Sequence, residues 1–108
     1  MFALYAIYKA PENSTEFDAH YEEIHTPLVK TMDGLRKLEL SRFTKMLTPP
    51  TSTVAETPYI MCTMYFEDQA ALENALRSPG GKAAGKDLMG FAGPLVSMIT
   101  AEVQDIAL

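Results

Sequence analysis

Cysteine is almost absent from this chain: Cys62 stands alone, so neither an internal disulfide nor a cysteine zinc cluster is possible. Positive charge is in deficit. Nine Lys and Arg face fourteen Asp and Glu, for a formal charge of −5. That balance argues against a nucleic-acid binder, which needs a basic face, and against binding to an anionic membrane surface. No apolar run reaches the roughly 18–20 residues of a membrane span. The opening MFALYAIYKAPEN has no basic stretch ahead of its apolar residues, so a cytoplasmic location is expected. No phosphate-cradling glycine loop and no nucleophile elbow is present. What remains is ordinary globular composition, 47% apolar and 21% charged over 108 residues, which fits one domain spanning 1–108.

The apolar periodicity changes along the chain. Phe2 to Lys9 is a short apolar and aromatic run closed by Pro11, and reads as a first strand. Asn13 or Ser14 can cap a helix, with Glu16 three residues on from Asn13. Phe17, Tyr21, Ile24, Leu28 and Met32 then form one stripe at spacings of three and four, and Gly34 ends the helix. Leu35 to Phe43 is extended. Thr44 to Pro58, with three prolines, is a long loop, and such loops are often functional lids. Tyr59 to Phe66 is a third strand. Asp68 caps a second helix, Ser78-Pro79-Gly80-Gly81 interrupts it, and Lys82 to Phe91 resumes it. Leu95 to Val103 is the last strand. The order β-α-β-β-α-β is that of a ferredoxin-like α+β unit with a four-stranded antiparallel sheet.

Two helices cover only one face of such a sheet, yet the strands are apolar on both sides. The uncovered set reads as Tyr5, Ile7, Tyr59, Met61, Tyr65, Val96 and Met98. At ~2 kcal/mol for each large side chain, leaving these wet forgoes about 14 kcal/mol, as much as the net stability of a typical domain. An identical sheet packed against that face in a two-fold homodimer is the simplest cover. Strand two, with Arg36, Lys37, Glu39 and Arg42, suits a sheet edge.

Few residues offer chemistry. His20 and His25 stand five apart, about 140° around an α-helix, too divergent to share a metal. Tyr21 and His25, at i and i+4, are neighbours on one face. There an imidazole acts as a general acid or base near neutral pH with a phenol orienting it or the substrate; the plainer reading is core packing and a hydrogen-bonded boundary histidine. Pro27 removes the amide that would bond Glu23 and should bend the helix near His25. Met61, Met64, Met89 and Met98 are pocket lining or core filling. Asp87 is a surface carboxylate or the partner of a nearby base, the surface being the expectation. Cys62 is expected to be buried and inert.

The pieces Tyr21-x-x-x-His25-x-Pro27-Leu28, Gly34-Leu35-Arg36-Lys37-Leu38-Glu39 and Ser78-Pro79-x-Gly81-x-Ala83-Ala84-x-x-Asp87-Leu88-x-x-Phe91-Ala92 resemble the EthD family. Gly81, Gly85 and the long loop depart from its pattern. The resemblance implies a ferredoxin-like protomer, a homodimer forming a dimeric α/β barrel, and a role for His25 with Tyr21 and Asp87 as lesser candidates. It further suggests a small hydrophobic or aromatic ligand in an oxidation-linked catabolic pathway, with metal-free oxidoreductase or isomerase chemistry and no cofactor. A ligand pocket lined by Tyr5, Phe17, Leu28, Tyr59, Met61 and Tyr65 is expected. The alternatives are a non-catalytic binding protein serving an oxygenase, or haem held by His25.

Overall fold

A computed structural model describes residues 1–49 and 57–108. Strands β1 (Phe2–Tyr8), β2 (Lys37–Arg42), β3 (Ile60–Phe66) and β4 (Val96–Glu102) form one antiparallel sheet in the order β2-β3-β1-β4. The apolar strands β1 and β3 are central and the charged β2 is an edge, as its composition requires. The first helical rod comprises α1 (Ser14–His20), a π-helical turn (Tyr21–His25) and α2 (Thr26–Val29). Helices α3 (Gln69–Arg77) and α4 (Pro79–Ala92) complete the second layer. The fold is the ferredoxin-like α+β unit. Of the Thr44–Pro58 loop, residues 50–56 lie outside the described residues.

Local sequence explains the helix boundaries. Asn13 caps α1 by accepting the Glu16 amide at 3.0 Å, and Asp68 caps α3 by accepting that of Ala71 at 2.8 Å. Regular helix ends at Val29 rather than at Gly34; the intervening turn still buries Met32, and Gly34 reverses the chain at φ +81°, a conformation glycine adopts without steric cost. The second break is narrower than the sequence suggests. Ser78 alone separates α3 from α4, its hydroxyl accepting the Gly81 amide at 3.2 Å, and Pro79 opens α4, the first-turn position that proline tolerates. Gly81 therefore belongs to the helix. A Cβ there would fall on the Ala75 carbonyl oxygen, so glycine lets the two helices join this closely.

Register across the sheet assigns the faces. Leu4, Ala6 and Tyr8 of β1 lie beside Met64, Cys62 and Ile60 of β3 and beside Thr100, Met98 and Val96 of β4, and this side receives the helices. Val96 and Met98 thus face the helical layer, contrary to the reading from β4's composition, because pairing register, not hydrophobicity, decides which face a strand residue takes. Tyr59 also belongs with the helices: its ring packs edge-on to Phe17, centroids 5.8 Å apart, and its hydroxyl donates to Asp18. The opposite face carries Ala3, Tyr5 and Ile7 beside Tyr65, Thr63 and Met61, and beside Ala101, Ile99 and Ser97. Its β2 end is polar, with Tyr65 donating to Glu39 at 2.7 Å and Lys37 3.4 Å from the same carboxylate. No element of the chain covers Tyr5, Ile7, Met61 or Ile99 among the described residues; Ile99 is 55% exposed. Among those residues no helix is long and apolar enough to cross a membrane.

Candidate functional site

The first helical rod changes pitch at Tyr21. The Thr26 amide donates to the Tyr21 carbonyl, five residues back, and Pro27, one residue on, has no amide and a ring that clashes with the carbonyl four residues before it in a regular α-helix. A π-helical turn absorbs one extra residue. Beyond it the inward stripe advances by one position: His25 and Val29 are buried where the α-helical repeat places Ile24 and Leu28. Ile24 turns outward.

The same turn cancels the angular argument against His20 and His25. Both imidazoles converge on Asp87 of α4. Nε2 of His20 lies 2.8 Å from Oδ1 and 3.1 Å from Oδ2, and Nδ1 of His25 lies 3.0 Å from Oδ2. Asp87 is no free surface carboxylate; its side chain is only 17% exposed. Phe91, one turn further along α4, packs against both rings, with centroids 4.3 Å from His20 and 5.1 Å from His25. The Tyr21 ring is 5.5 Å from that of His25.

Electrostatics assign protonation states. Burial drives the His25 imidazole below its ordinary value, with Asp87 pulling partly back, so the ring is neutral at pH 7. An ionised carboxylate accepts hydrogen bonds, which places the His25 proton on Nδ1 and leaves Nε2 as the basic atom. This is the orienting relation that fixes an imidazole's tautomer in acid–base sites. Burial pushes the phenols of Tyr8 and Tyr21 well above the usual range and also raises the Cys62 thiol. All three stay protonated, and the Tyr21 hydroxyl, set against Tyr8 and Cys62, cannot serve as a base at neutral pH.

His25 lines a cavity of about 50 Å³ with Tyr8, Cys62, Met64, Gly85 and Met98 among its walls. That volume takes a few waters and is well below the ~150 Å³ that admits benzene. A wider groove of about 280 Å³ runs between the π-turn and the edge strand, lined by Tyr21, Glu22, Thr26, Leu38, Glu39 and Leu40 and sharing Val29 and Cys62 with the cavity. The expected pocket residues do not gather here. Tyr5, Met61 and Tyr65 are on the opposite face of the sheet. Phe17 belongs to the aromatic core with Tyr8 and Tyr21, Leu28 is partly buried beside the core, and Tyr59 is held by Asp18. Of the methionines, Met64 and Met98 reach the cavity, while Met89 is exposed.

The cavity at His25, about 50 Å³, is far smaller than a haem macrocycle. Among the described residues no three or more His, Cys, Asp or Glu side chains are arranged to hold a metal ion. What the arrangement can do is hold a neutral, oriented imidazole in an apolar wall and accept or return a proton at Nε2. Sequence reasoning missed His20 and Phe91. The available signal was Pro27, which marks a helix that cannot stay regular.

Known proteins agree with this architecture. A crystal structure of an ethyl tert-butyl ether degradation (EthD) family protein from Bacillus halodurans superposes with a TM-score of 0.85 at 36% identity, covering 96% of this chain and 99% of that one. An uncharacterised 11.0 kDa protein from the thcB–thcC intergenic region of Rhodococcus erythropolis is 26% identical over 106 residues, 98% of each chain. Two further structures share the fold at lower identity. One is a dimeric ferredoxin-like protein of unknown function from Jannaschia, with TM-score 0.64, 18% identity and coverage of 95% and 100%. The other is SnoaB, a cofactor-independent oxygenase from Streptomyces nogalater, with TM-score 0.67, 11% identity and coverage of 97% and 94%. The EthD domain model matches residues 9–94, which contain the π-turn, both histidines and Asp87; the chain belongs to the EthD family.

Proposed function

We propose that this EthD-family protein is a cytoplasmic homodimer that binds a small hydrophobic or aromatic metabolite in an oxidation-linked catabolic pathway and performs cofactor-free proton-transfer chemistry with His25 as acid and base. The observation that carries this reading is the buried, neutral His25 held by Asp87 through Nδ1. Nε2 then removes a proton from a bound compound, and the resulting anion either regains it at another atom, an isomerisation, or reacts with dioxygen. Tyr21, a wall of the groove, orients the compound. The larger groove beside β2 supplies the volume that the cavity lacks, with the shared walls Val29 and Cys62 between them. SnoaB, of the same fold, is a cofactor-independent oxygenase, which makes such chemistry compatible with this architecture.

The homodimer rests on the apolar face of the sheet, and a dimeric ferredoxin-like protein is among the structures sharing the fold. The small volume at His25 favours one other reading, a non-catalytic carrier serving an oxygenase. Dioxygen uptake and isomer formation, followed across small phenols and other hydrophobic compounds, separate the two. Turnover lost in His25→Ala with the dimer intact supports the catalytic reading. Saturable binding without product, retained in His25→Ala, replaces it with the carrier.

A further inference from the structure

The geometry points to His20 as the surface port through which the buried His25 exchanges protons with water, with Asp87 as the bridge. Exposure rises step by step along the three side chains: 5% at His25, 17% at Asp87 and 30% at His20. Contacts are of hydrogen-bond length throughout. One oxygen, Oδ2 of Asp87, is 3.0 Å from Nδ1 of His25 and 3.1 Å from Nε2 of His20, so a proton arriving on it is already beside the second imidazole and the carboxyl group need not rotate. Phe91 packs on both rings and fixes their separation. The cavity at His25 takes a few waters only, and the relay gives the base a hydrogen-bonded route from there to bulk solvent.

The other titratable groups around His25 offer no competing exit. Tyr21 lies on the same helical rod, Tyr8 comes from β1 and Cys62 from β3, and burial keeps all three protonated. When Nε2 of His25 takes up a proton, its Nδ1 proton passes to Oδ2 of Asp87. At rest the ionised carboxylate accepts from both rings, so His20 carries its proton on Nε2; exchange of that proton through water onto Nδ1 leaves Nε2 bare, Asp87 hands its proton there, and His20 releases its Nδ1 proton to water. One proton enters and one leaves. Return of a proton to the ligand runs the same steps backward. The use of this relay in turnover rests on the acid–base reading of His25; its existence does not.

The experiment therefore needs no ligand. In the full chain with ¹⁵N-labelled histidine, exchange of the His25 Nδ1 proton with water is followed by NMR as a function of pH. His20→Phe keeps a ring against Phe91 and removes the nitrogens. It should slow His25 exchange by at least about tenfold while the remaining spectrum stays dispersed, and His20→Gln should do the same. Exchange that is unchanged or faster in a folded His20 variant overturns the relay. Loss of turnover in His25→Ala with fast exchange persisting in His20→Phe would sink the relay and leave the acid–base reading standing.

Discussion

Ile24 faces solvent and His25, the next residue, faces the core: 47% of Ile24 is exposed against 4% of His25. Hydrophobicity alone orders these two the other way. The inversion follows from the single π-turn that Pro27 accompanies, which rotates everything after Tyr21 by one residue.

That register makes an unusual pair of stability predictions. Ile24→Lys should change the unfolding free energy by no more than about 0.5 kcal/mol, as at an ordinary surface site. Val29→Ala, at a position the regular repeat leaves outside its stripe, should cost about 1–3 kcal/mol. Urea titrations of the two variants distinguish the π-turn from an unbroken α-helix, for which Ile24 is the costly site.

Stability should fall on mild acidification. His25 is held below its unfolded value near 6.5, so the folded state binds fewer protons than the unfolded state between the two values. The contribution is complete above the unfolded value and is lost as pH drops through the folded one. Urea midpoints should therefore decline as pH falls below about 7, through the unfolded value near 6.5 and on toward the lower folded one. In His25→Gln this part of the profile should flatten.

Glycines of α4 should respond in opposite directions. At Gly81 a methyl group meets the Ala75 carbonyl, and Gly81→Ala should lower stability by about 1–3 kcal/mol. Gly90 has open space around it, and Gly90→Ala should raise stability by about 0.5–1 kcal/mol through helix propensity. Thermal melts of both variants decide it.

The proposed dimer should depend on the sheet face that the chain leaves open. Tyr5 on the central β1 and Ile99 on the edge strand β4 are cross-strand neighbours on it. Ile99→Lys should give a monomer in sedimentation velocity at micromolar concentration, with the helical content by circular dichroism retained. A parent protein that sediments as a monomer would remove the dimer altogether.

Much of the fold is legible in the chain. Caps at Asn13 and Asp68, the chain reversal at Gly34 and the charged edge strand follow from local chemistry, and with the β-α-β-β-α-β order they lead to the ferredoxin-like unit. Two kinds of error share a cause. Val96 and Met98 go to the wrong face because β4 is apolar on both sides at its start, and only pairing with Tyr8 and Ala6 fixes its phase. His20 is dismissed because the angle between residues five apart is computed for an α-helix that this segment does not form.

By itself, then, the sequence settled which segments are strands and helices, the family pattern around Tyr21 and His25, and the existence of a sheet apolar on both sides. These depend on neighbours in the chain or on repeats along a single element. Tertiary structure decided which way those elements turn. The meeting of His20 and His25 on Asp87 joins groups 67 and 62 residues apart, through a helix whose pitch changes where Pro27 withholds an amide, and no periodicity within either helix encodes that convergence.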